Sequence, residues 1–90
     1  MKQLEVHEQF VKDLKRAKLK GKHLQKLFSY VSLLLSGQSL PPEAKDHPLK
    51  GELRDVRDFH LGGDIVVLYR ITKDKVQLLR IGSHAQVLGM

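Results

Sequence analysis

Three histidines in the C-terminal half of the sequence lie where predicted elements begin or end. His47 stands just before Pro48 in a proline-containing stretch, His60 ends a predicted strand, and His84 follows the last predicted strand. Side chains at such junctions are often the ones that reach a ligand. Imidazole titrates near neutral pH, so two histidines can supply both an acid and a base under physiological conditions.

An aspartate and an arginine are predicted to lie close to these histidines. Asp64 follows His60 by four residues across Gly62-Gly63, and a turn there brings the two side chains together. Strand parity places Arg80 on one face with His84 if the extended conformation continues that far. We therefore expect these groups to meet at one edge of a sheet face.

Spacing alone leaves simpler interpretations open. His60 and Asp64 also fit an ordinary turn pair, and His84 also fits a residue that merely caps the sheet. The intervals between the three histidines match no metal-ligand motif and the sequence has no cysteine, so we expect no metal site. Ser83 lacks the elbow motif of a nucleophilic serine, and no glycine-rich phosphate loop is present.

The composition is that of a small, basic, globular protein. The chain has 90 residues and a formal net charge of +6, and seven of its cations lie between Lys12 and Lys26. Such a patch suits a polyanion or an acidic protein, although it also fits a solvated helix face. Histidines in a basic protein suit RNA cleavage through the 2′-hydroxyl, where one group removes a proton and another protonates the 5′ oxygen.

The hydrophobic pattern predicts a single α+β domain over residues 1–90. The predicted elements, in chain order, are a strand at 2–7, helices at 8–20 and up to about 36, and strands at 54–60, 64–72 and 75–81. Gly21 is expected to end the first helix or follow its end, and residues 37–50 to form a loop. The tail from residue 82 is left unassigned.

These elements predict a layered architecture. The N-terminal strand and the helical hairpin pack on one face of a mostly antiparallel sheet of three to four strands. The other face would stay open and concave, which offers room for a ligand. No apolar run reaches the length of a signal peptide or a membrane span, so we expect a cytoplasmic protein that does not bind membranes.

Several motifs in residues 45–89 occur together and in order. They are Lys45-Asp46-His47-Pro48-Leu49, Arg57-Asp58-x-His60, Asp64 followed by apolar residues to Tyr69, and Arg80-x-Gly82-Ser83-His84. In this combination the chain resembles the YafQ-like branch of the RelE/ParE superfamily of bacterial toxins. The N-terminal half is similar to that family in its helical hairpin and its basic character.

The resemblance implies the toxin of a type II toxin–antitoxin system. Such a toxin is a ribosome-dependent mRNA endonuclease that acts in the A site of the 30S subunit and inhibits translation. The implied reaction needs no metal or other cofactor and leaves a 2′,3′-cyclic phosphate and a 5′-hydroxyl. The implied partners are the ribosome, mRNA and a cognate antitoxin, with operator DNA bound only through the antitoxin complex.

The resemblance also carries the family's catalytic residues onto His47, His60, Asp64 and His84. We assign His84 as the general acid and His47 as the general base, with Asp64 as the competitor for the second role. His60 would orient or charge-stabilise the site beside Asp64.

The expected substrate-binding residues are Arg57, Arg80, Lys45, Lys50 and Leu88. The two arginines would neutralise the charge that develops on phosphorus. Leu88 departs from the family, which commonly has a phenylalanine there, and a leucine cannot stack on a base. We therefore expect this chain to differ in binding strength or codon preference.

Two other function classes remain open. One is a ParE-like inhibitor of DNA gyrase, which would use the same fold without needing the histidines. The other is a non-catalytic module that binds RNA or protein through the basic helix alone. Histidine substitutions would be silent in that module, whereas changes at Lys15, Arg16 and Lys18 would not be.

Overall fold

The computed structural model describes residues 1–51 and 55–89, which form five strands, three α-helices and a 3₁₀ turn at Pro42–Ala44. The strands are β1 (Gln3–Val6), β2 (His47–Pro48), β3 (Arg57–Gly62), β4 (Ile65–Ile71) and β5 (Lys75–Ser83). The helices are α1 (Glu8–Ala17), α2 (Gly21–Leu35) and α3 (His84–Leu88). None of the helices in this described part is long and apolar enough to cross a membrane.

The sheet has the order β1-β5-β4-β3-β2. All neighbouring strands are antiparallel except β1, which runs parallel to β5. The predicted α+β fold with a mostly antiparallel sheet is thus confirmed. The sheet has five strands because both the N-terminal strand and the two-residue strand at His47 join it. The predicted strand start at Arg54 lies outside the described residues.

The boundary between the first two helices differs from the prediction. Lys18 adopts the left-handed conformation, with φ of 48°, and α1 ends at Ala17, three residues earlier than expected. Gly21 is the first residue of α2 instead of the end of α1. A left-handed residue cannot continue a right-handed helix, so the chain turns at Lys18 although glycine is the more usual residue there.

The main core lies between the helices and one face of the sheet, which we call the helix face. It contains buried residues of α1, α2 and alternate positions of the central strands, among them Phe10, Leu27, Val31, Phe59, Val67, Tyr69, Leu78 and Ile81. The aromatic rings pack at angles, with Tyr30 edge-on to Phe59 at a centroid distance of 5.6 Å. This packing holds the strands in place, and the same strands carry the residues of the opposite face.

The opposite face of the sheet carries a second, smaller apolar cluster. Val66 and Leu68 alternate with the residues of β4 that face the main core, and they pack with Val56 and Val87. Val87 belongs to α3, which forms from the tail left unassigned by the sequence. The face expected to be open is therefore partly covered, and α3 forms one wall of the cleft that remains.

Candidate active site

A cleft of about 700 Å³ opens on the face of the sheet opposite the helical hairpin. It is lined by Lys45, His47, Pro48, Leu49, Lys50, Asp58, His60, His84 and Leu88. Six of the predicted site residues, drawn from three separate segments of the chain, therefore share one cavity. The three histidine rings follow one another across it, with centroids 6.2 Å apart for His47 and His60 and 5.2 Å for His60 and His84.

Strand pairing brings the first two histidines together. His47 of β2 lies directly opposite Asp58 of β3, and His60 lies two residues further along β3 on the same face. The Asp58 Oδ1 atom is 3.1 Å from His47 Nδ1 and 3.7 Å from His60 Nε2. One carboxylate thus lies between two imidazoles.

Asp58 is the site residue that the sequence analysis did not select. Its exposed fraction is only 1%, and its Oδ1 atom has no hydrogen bond of good geometry from the described residues. Burial raises the pKa of Asp58, while the positive charge available on His47, His60 and His84 opposes that rise. The i, i+2 spacing of Asp58 and His60 within a predicted strand was the available signal, because such residues share a face.

The position of His47 determines which ring nitrogen can accept a proton. Its Nδ1 atom lies 2.8 Å from the Lys45 carbonyl oxygen, which can only accept a hydrogen bond. Nδ1 therefore carries the hydrogen, and the lone pair of the neutral ring lies on Nε2. Lys45 adopts the left-handed conformation, with φ of 50°, and this turn directs its carbonyl toward the ring.

His60 occupies the centre of the histidine row. Burial lowers its pKa, the Asp58 carboxylate offsets part of that effect, and the neighbouring imidazole of His84 lowers it further. A lowered pKa means that His60 is neutral at pH 7. Its place between the other two rings fits the supporting role predicted for it.

His84 pairs with Asp64 across the end of the sheet. Its Nδ1 atom lies 2.7 Å from Asp64 Oδ1, and this hydrogen bond lowers the pKa of Asp64. Asp64 was expected beside His60, and the hydrogen bond that it makes is to His84. The reason is that β5 ends at Ser83 and α3 begins at His84, so the ring lies beside the β3–β4 turn.

The structure does not bring the two predicted arginines to the histidines. Arg57 lies opposite Tyr69 on β4, and its Nε atom donates a hydrogen bond to Asp46 at 3.1 Å. Tyr69 is part of the main core, so Arg57 is on the helix face while its neighbour Asp58 is on the cleft face. The Tyr69 hydroxyl also donates to Asp46, the residue before His47, so this network anchors β2.

Arg80 is held by α1. Its Nε and Nη2 atoms donate to the two carboxylate oxygens of Asp13 at 2.7 and 3.1 Å. A register shift between β4 and β5 leaves Leu79 without a partner between Leu78 and Arg80. The prediction that Arg80 and His84 share a face assumed that side chains alternate regularly between the two faces of an extended strand. The bulge interrupts that alternation, and the strand ends before His84, where α3 begins.

The remaining predicted residues lie in the cleft wall. Lys45 and Lys50 are exposed beside His47 and supply positive charge at its mouth. Leu88 is half-buried at the end of α3 and packs against the second apolar cluster. These positions allow contact with a phosphodiester and with one apolar surface of a base.

The same groups could also hold a metal ion. One ligand atom from each of His47, Asp58 and His60 can be chosen so that all three lie within 4.8 Å of one another. Two imidazoles and a carboxylate are ligands that suit zinc or copper. The arrangement is thus able either to transfer protons or to bind a transition metal.

Comparison with known proteins identifies the family. The family described as a bacterial toxin of type II toxin-antitoxin system, YafQ, matches residues 2–89. The mRNA interferase toxin YafQ of Escherichia coli (strain K12) is 36% identical over 88 residues, which cover 96% of this chain and 95% of that protein.

Solved structures share the whole fold. An E. coli DinJ–YafQ complex matches with a TM-score of 0.85 and 33% identity, covering 99% of this chain and 100% of that chain. A copper-bound mutant toxin from Helicobacter pylori matches with a TM-score of 0.89 and 31% identity, covering 97% of this chain and 99% of that chain. The chain therefore belongs to the YafQ family of bacterial toxins from type II toxin–antitoxin systems.

Proposed function

We propose that this toxin is a ribosome-dependent mRNA endonuclease that cleaves without a metal and leaves a 2′,3′-cyclic phosphate and a 5′-hydroxyl. The observation that carries the proposal is the pair of histidines whose Nδ1 atoms are each held by an acceptor, His47 by the Lys45 carbonyl and His84 by Asp64. The name of the E. coli relative, mRNA interferase toxin, supports the same reaction class.

Each histidine has a distinct part in the proposed reaction. His47 takes the 2′-hydroxyl proton on Nε2, and the 2′ oxygen then attacks phosphorus. His84 gives a proton to the departing 5′ oxygen, and its hydrogen bond to Asp64 holds the ring in place. Asp64 is the second choice as base because its Oδ1 atom is already engaged by His84.

Lysines take the role that the sequence analysis gave to the arginines. Arg57 and Arg80 are paired with carboxylates outside the cleft, whereas Lys45 and Lys50 line its mouth. An ammonium group near the phosphate counteracts the extra negative charge of the phosphorane. Asp58 and His60 set the electrostatic environment of His47.

The proposed partners follow from the family. The structures of E. coli DinJ–YafQ complexes support an antitoxin partner for this chain. We further propose that the toxin meets its mRNA in the A site of the 30S subunit, that it acts in the cytoplasm, and that it reaches operator DNA only within the antitoxin complex.

Primer extension on a reporter mRNA in a reconstituted translation reaction tests the activity. We expect wild-type toxin to cut the reporter only when ribosomes are translating it. We expect His84→Ala to reduce the rate by about 10²–10⁴-fold, which is the usual contribution of a general acid. Lys73→Ala, a change at an exposed turn, serves as the control. Full activity of His84→Ala, or gyrase inhibition with the mRNA left intact, would contradict the proposal.

Metal dependence is tested in the same reaction. We expect that a chelator selective for zinc and copper, at a magnesium level that keeps ribosomes intact, leaves the rate unchanged. Added Zn²⁺ should inhibit, because a metal ion bound by His47, Asp58 and His60 places positive charge on the His47 ring that is proposed to accept the proton. Added Mg²⁺ is the control, since it prefers oxygen ligands. Loss of activity on chelation, restored by Zn²⁺, would instead make the metal part of the reaction.

A further inference from the structure

The strand that carries His47 is held by few backbone contacts. β2 consists of only His47 and Pro48 and lies at the edge of the sheet, whereas strands usually have about three to ten residues. Pro48 has no N–H group to donate, and after it the Leu49 N–H donates to the Val56 carbonyl at 2.8 Å. The position of His47 therefore depends on side chains as well as on backbone pairing.

A network of side chains ties the residue before His47 to the main core. In the described part of the chain, the Tyr69 hydroxyl and Arg57 Nε both donate to the Oδ1 atom of Asp46, at 2.5 and 3.1 Å. Tyr69 is fully buried on the central strand β4, and burial raises its pKa, so its hydroxyl keeps the hydrogen that it donates. Asp46 is thus held by a strand two positions away from β2 in the sheet.

Asp46 is also the middle residue of the turn that orients the His47 ring. Lys45 has the left-handed conformation, with φ of 50°, and its carbonyl oxygen lies 2.8 Å from His47 Nδ1. A left-handed conformation is unfavourable for a lysine and persists where surrounding contacts hold the turn. Because Asp46 joins the carbonyl to the ring, fixing its side chain also fixes the position of one relative to the other.

We propose that Asp46, held by Tyr69 and Arg57, is a positioning residue for His47. The held turn keeps the Lys45 carbonyl against Nδ1, so the hydrogen of the neutral ring stays there and the lone pair stays on Nε2. Asp46, Tyr69 and Arg57 line a separate cavity of about 390 Å³, so they act through His47 and not on the RNA. The inference rests on the proposed function in that it takes His47 to be the general base.

Two substitutions at Asp46 separate its hydrogen bonds from its charge. Both donors reach the same oxygen, so Asp46→Asn keeps an acceptor for each of them, whereas Asp46→Ala keeps none. We expect Asp46→Ala to lower kcat by about 10–100-fold and to change KM for translating ribosomes by less than about threefold, because a misplaced base slows the chemical step alone. We expect kcat of Asp46→Asn to stay within about threefold of wild type, since its acceptor oxygen is retained.

The Tyr69 hydroxyl has a matched control in the same core. Tyr69→Phe removes the donor and keeps the ring, and we expect kcat to fall by about 3–10-fold because Arg57 still holds Asp46. Tyr30 is 4% exposed, and its hydroxyl has no hydrogen-bond partner among the described residues. We therefore expect Tyr30→Phe to cleave like wild type. Equal losses of kcat in the two phenylalanine variants would show a general effect of the core and would overturn the proposal.

The His47 ring reports its own positioning in the free toxin. Nitrogen chemical shifts, measured by NMR at an alkaline pH where imidazole is neutral, show which ring nitrogen carries the hydrogen. We expect the hydrogen on Nδ1 in wild type, Asp46→Asn and Tyr30→Phe, and a mixture of the two forms in Asp46→Ala. The His84 ring should not change, because its hydrogen bond is to Asp64.

The outcomes against the proposal are distinct. Wild-type kcat for Asp46→Ala would overturn it, and so would a His47 ring that keeps its wild-type shifts in that variant. Equal losses of kcat in Asp46→Asn and Asp46→Ala would show that charge, not the acceptor, is what matters. If Asp46→Ala does not fold, the comparison of Tyr69→Phe with Tyr30→Phe decides. The NMR measurement needs neither ribosome nor mRNA, so a wild-type toxin that leaves mRNA intact would contradict only the proposed function.

Discussion

Asp58 is buried and has two histidine neighbours. Both features affect the pKa values of the ionisable groups in the cleft. The carboxylate is removed from water, which raises its pKa, and its charge in turn favours the protonated form of His60. Oδ1 lies 3.1 Å from His47 Nδ1 and 3.7 Å from His60 Nε2, so its charge acts on both rings. A buried carboxylate in this place tunes the proton transfer that His47 is proposed to perform.

The substitution Asp58→Asn tests that role. Because the Asp58 charge offsets the effect of burial on His60, we expect the pKa of His60 to fall further below its ordinary value. We also expect cleavage to slow by about 10–100-fold, less than the loss of a general base itself. Ring-proton titration by NMR measures the pKa, and primer extension measures the rate. Asp55→Asn, at an exposed acid outside the cleft, is the control. A pKa that stays constant or rises would contradict the assignment.

The sequence predicted most of the residues of the cleft but not all of their partners. Histidines at element ends were recognisable, and the turn before β4 placed Asp64 near the site. The hydrogen bond between Asp64 and His84 was not predicted, because the parity argument assumed an extended chain to His84, whereas α3 begins at that residue. Arg80 was misplaced for a similar reason, since a single unpaired residue in β5 is not visible in a hydrophobic pattern.

At the scale of the element, α3 determines where the proposed general acid lies. Ser83 caps this helix: its Oγ atom accepts a hydrogen bond from the Gln86 backbone, and the Gln86 side chain accepts one from the Ser83 backbone. This capping box fixes the first turn, which carries His84. A five-residue helix is too short to form without such support.

Ser83→Ala removes half of the capping box. We expect it to cost about 1 kcal/mol of helix stability. The rate of cleavage should fall, because the cap fixes the turn that carries His84. Ser83→Thr retains a capping hydroxyl and serves as the control. Equal cleavage rates for the alanine and threonine variants would contradict a positioning role for the cap.

The sequence predicted long elements better than short ones. The hydrophobic periodicity of α2 and the apolar run of β4 are strong local signals, and both elements appear within a few residues of their predicted limits. Neither β2 nor α3 has such a signal. The two residues of β2 depend on pairing with β3 and on the Asp46 network, and α3 depends on packing of Val87 against the sheet.

At the scale of the whole molecule, Asp13 connects α1 to the far end of β5. Its exposed fraction is 4%, and it accepts hydrogen bonds from Arg80, Gln9, Arg16 and the Ile81 backbone. Burial alone would raise the pKa of Asp13, but these hydrogen bonds, led by that of Arg80, lower it to about 2. The ionised carboxylate thus stabilises the folded state.

This linkage predicts how stability depends on pH. A carboxyl whose pKa is lower in the folded state stabilises the fold above its unfolded pKa of about 4, and that contribution disappears as the pH falls toward 2. We expect wild type to lose about 2 kcal/mol of its free energy of unfolding over this interval through Asp13. Asp13→Asn should be less stable at pH 7 and lose less on acidification.

Urea denaturation between pH 7 and pH 2 measures both quantities. Asp74→Asn is the control, because Asp74 is exposed at the β4–β5 turn. If Asp13→Asn and wild type lost the same stability on acidification, Asp13 would not be the group responsible. Cleavage at pH 7 by folded Asp13→Asn should remain, since Arg80 is outside the histidine cleft.

The two-sided sheet has an evolutionary consequence. The main core separates the helix face of the sheet from the cleft, so exposed side chains on the helix face lie apart from the histidines. Exposed positions on the helix face are therefore free to diverge between related genes while the histidine cleft is kept.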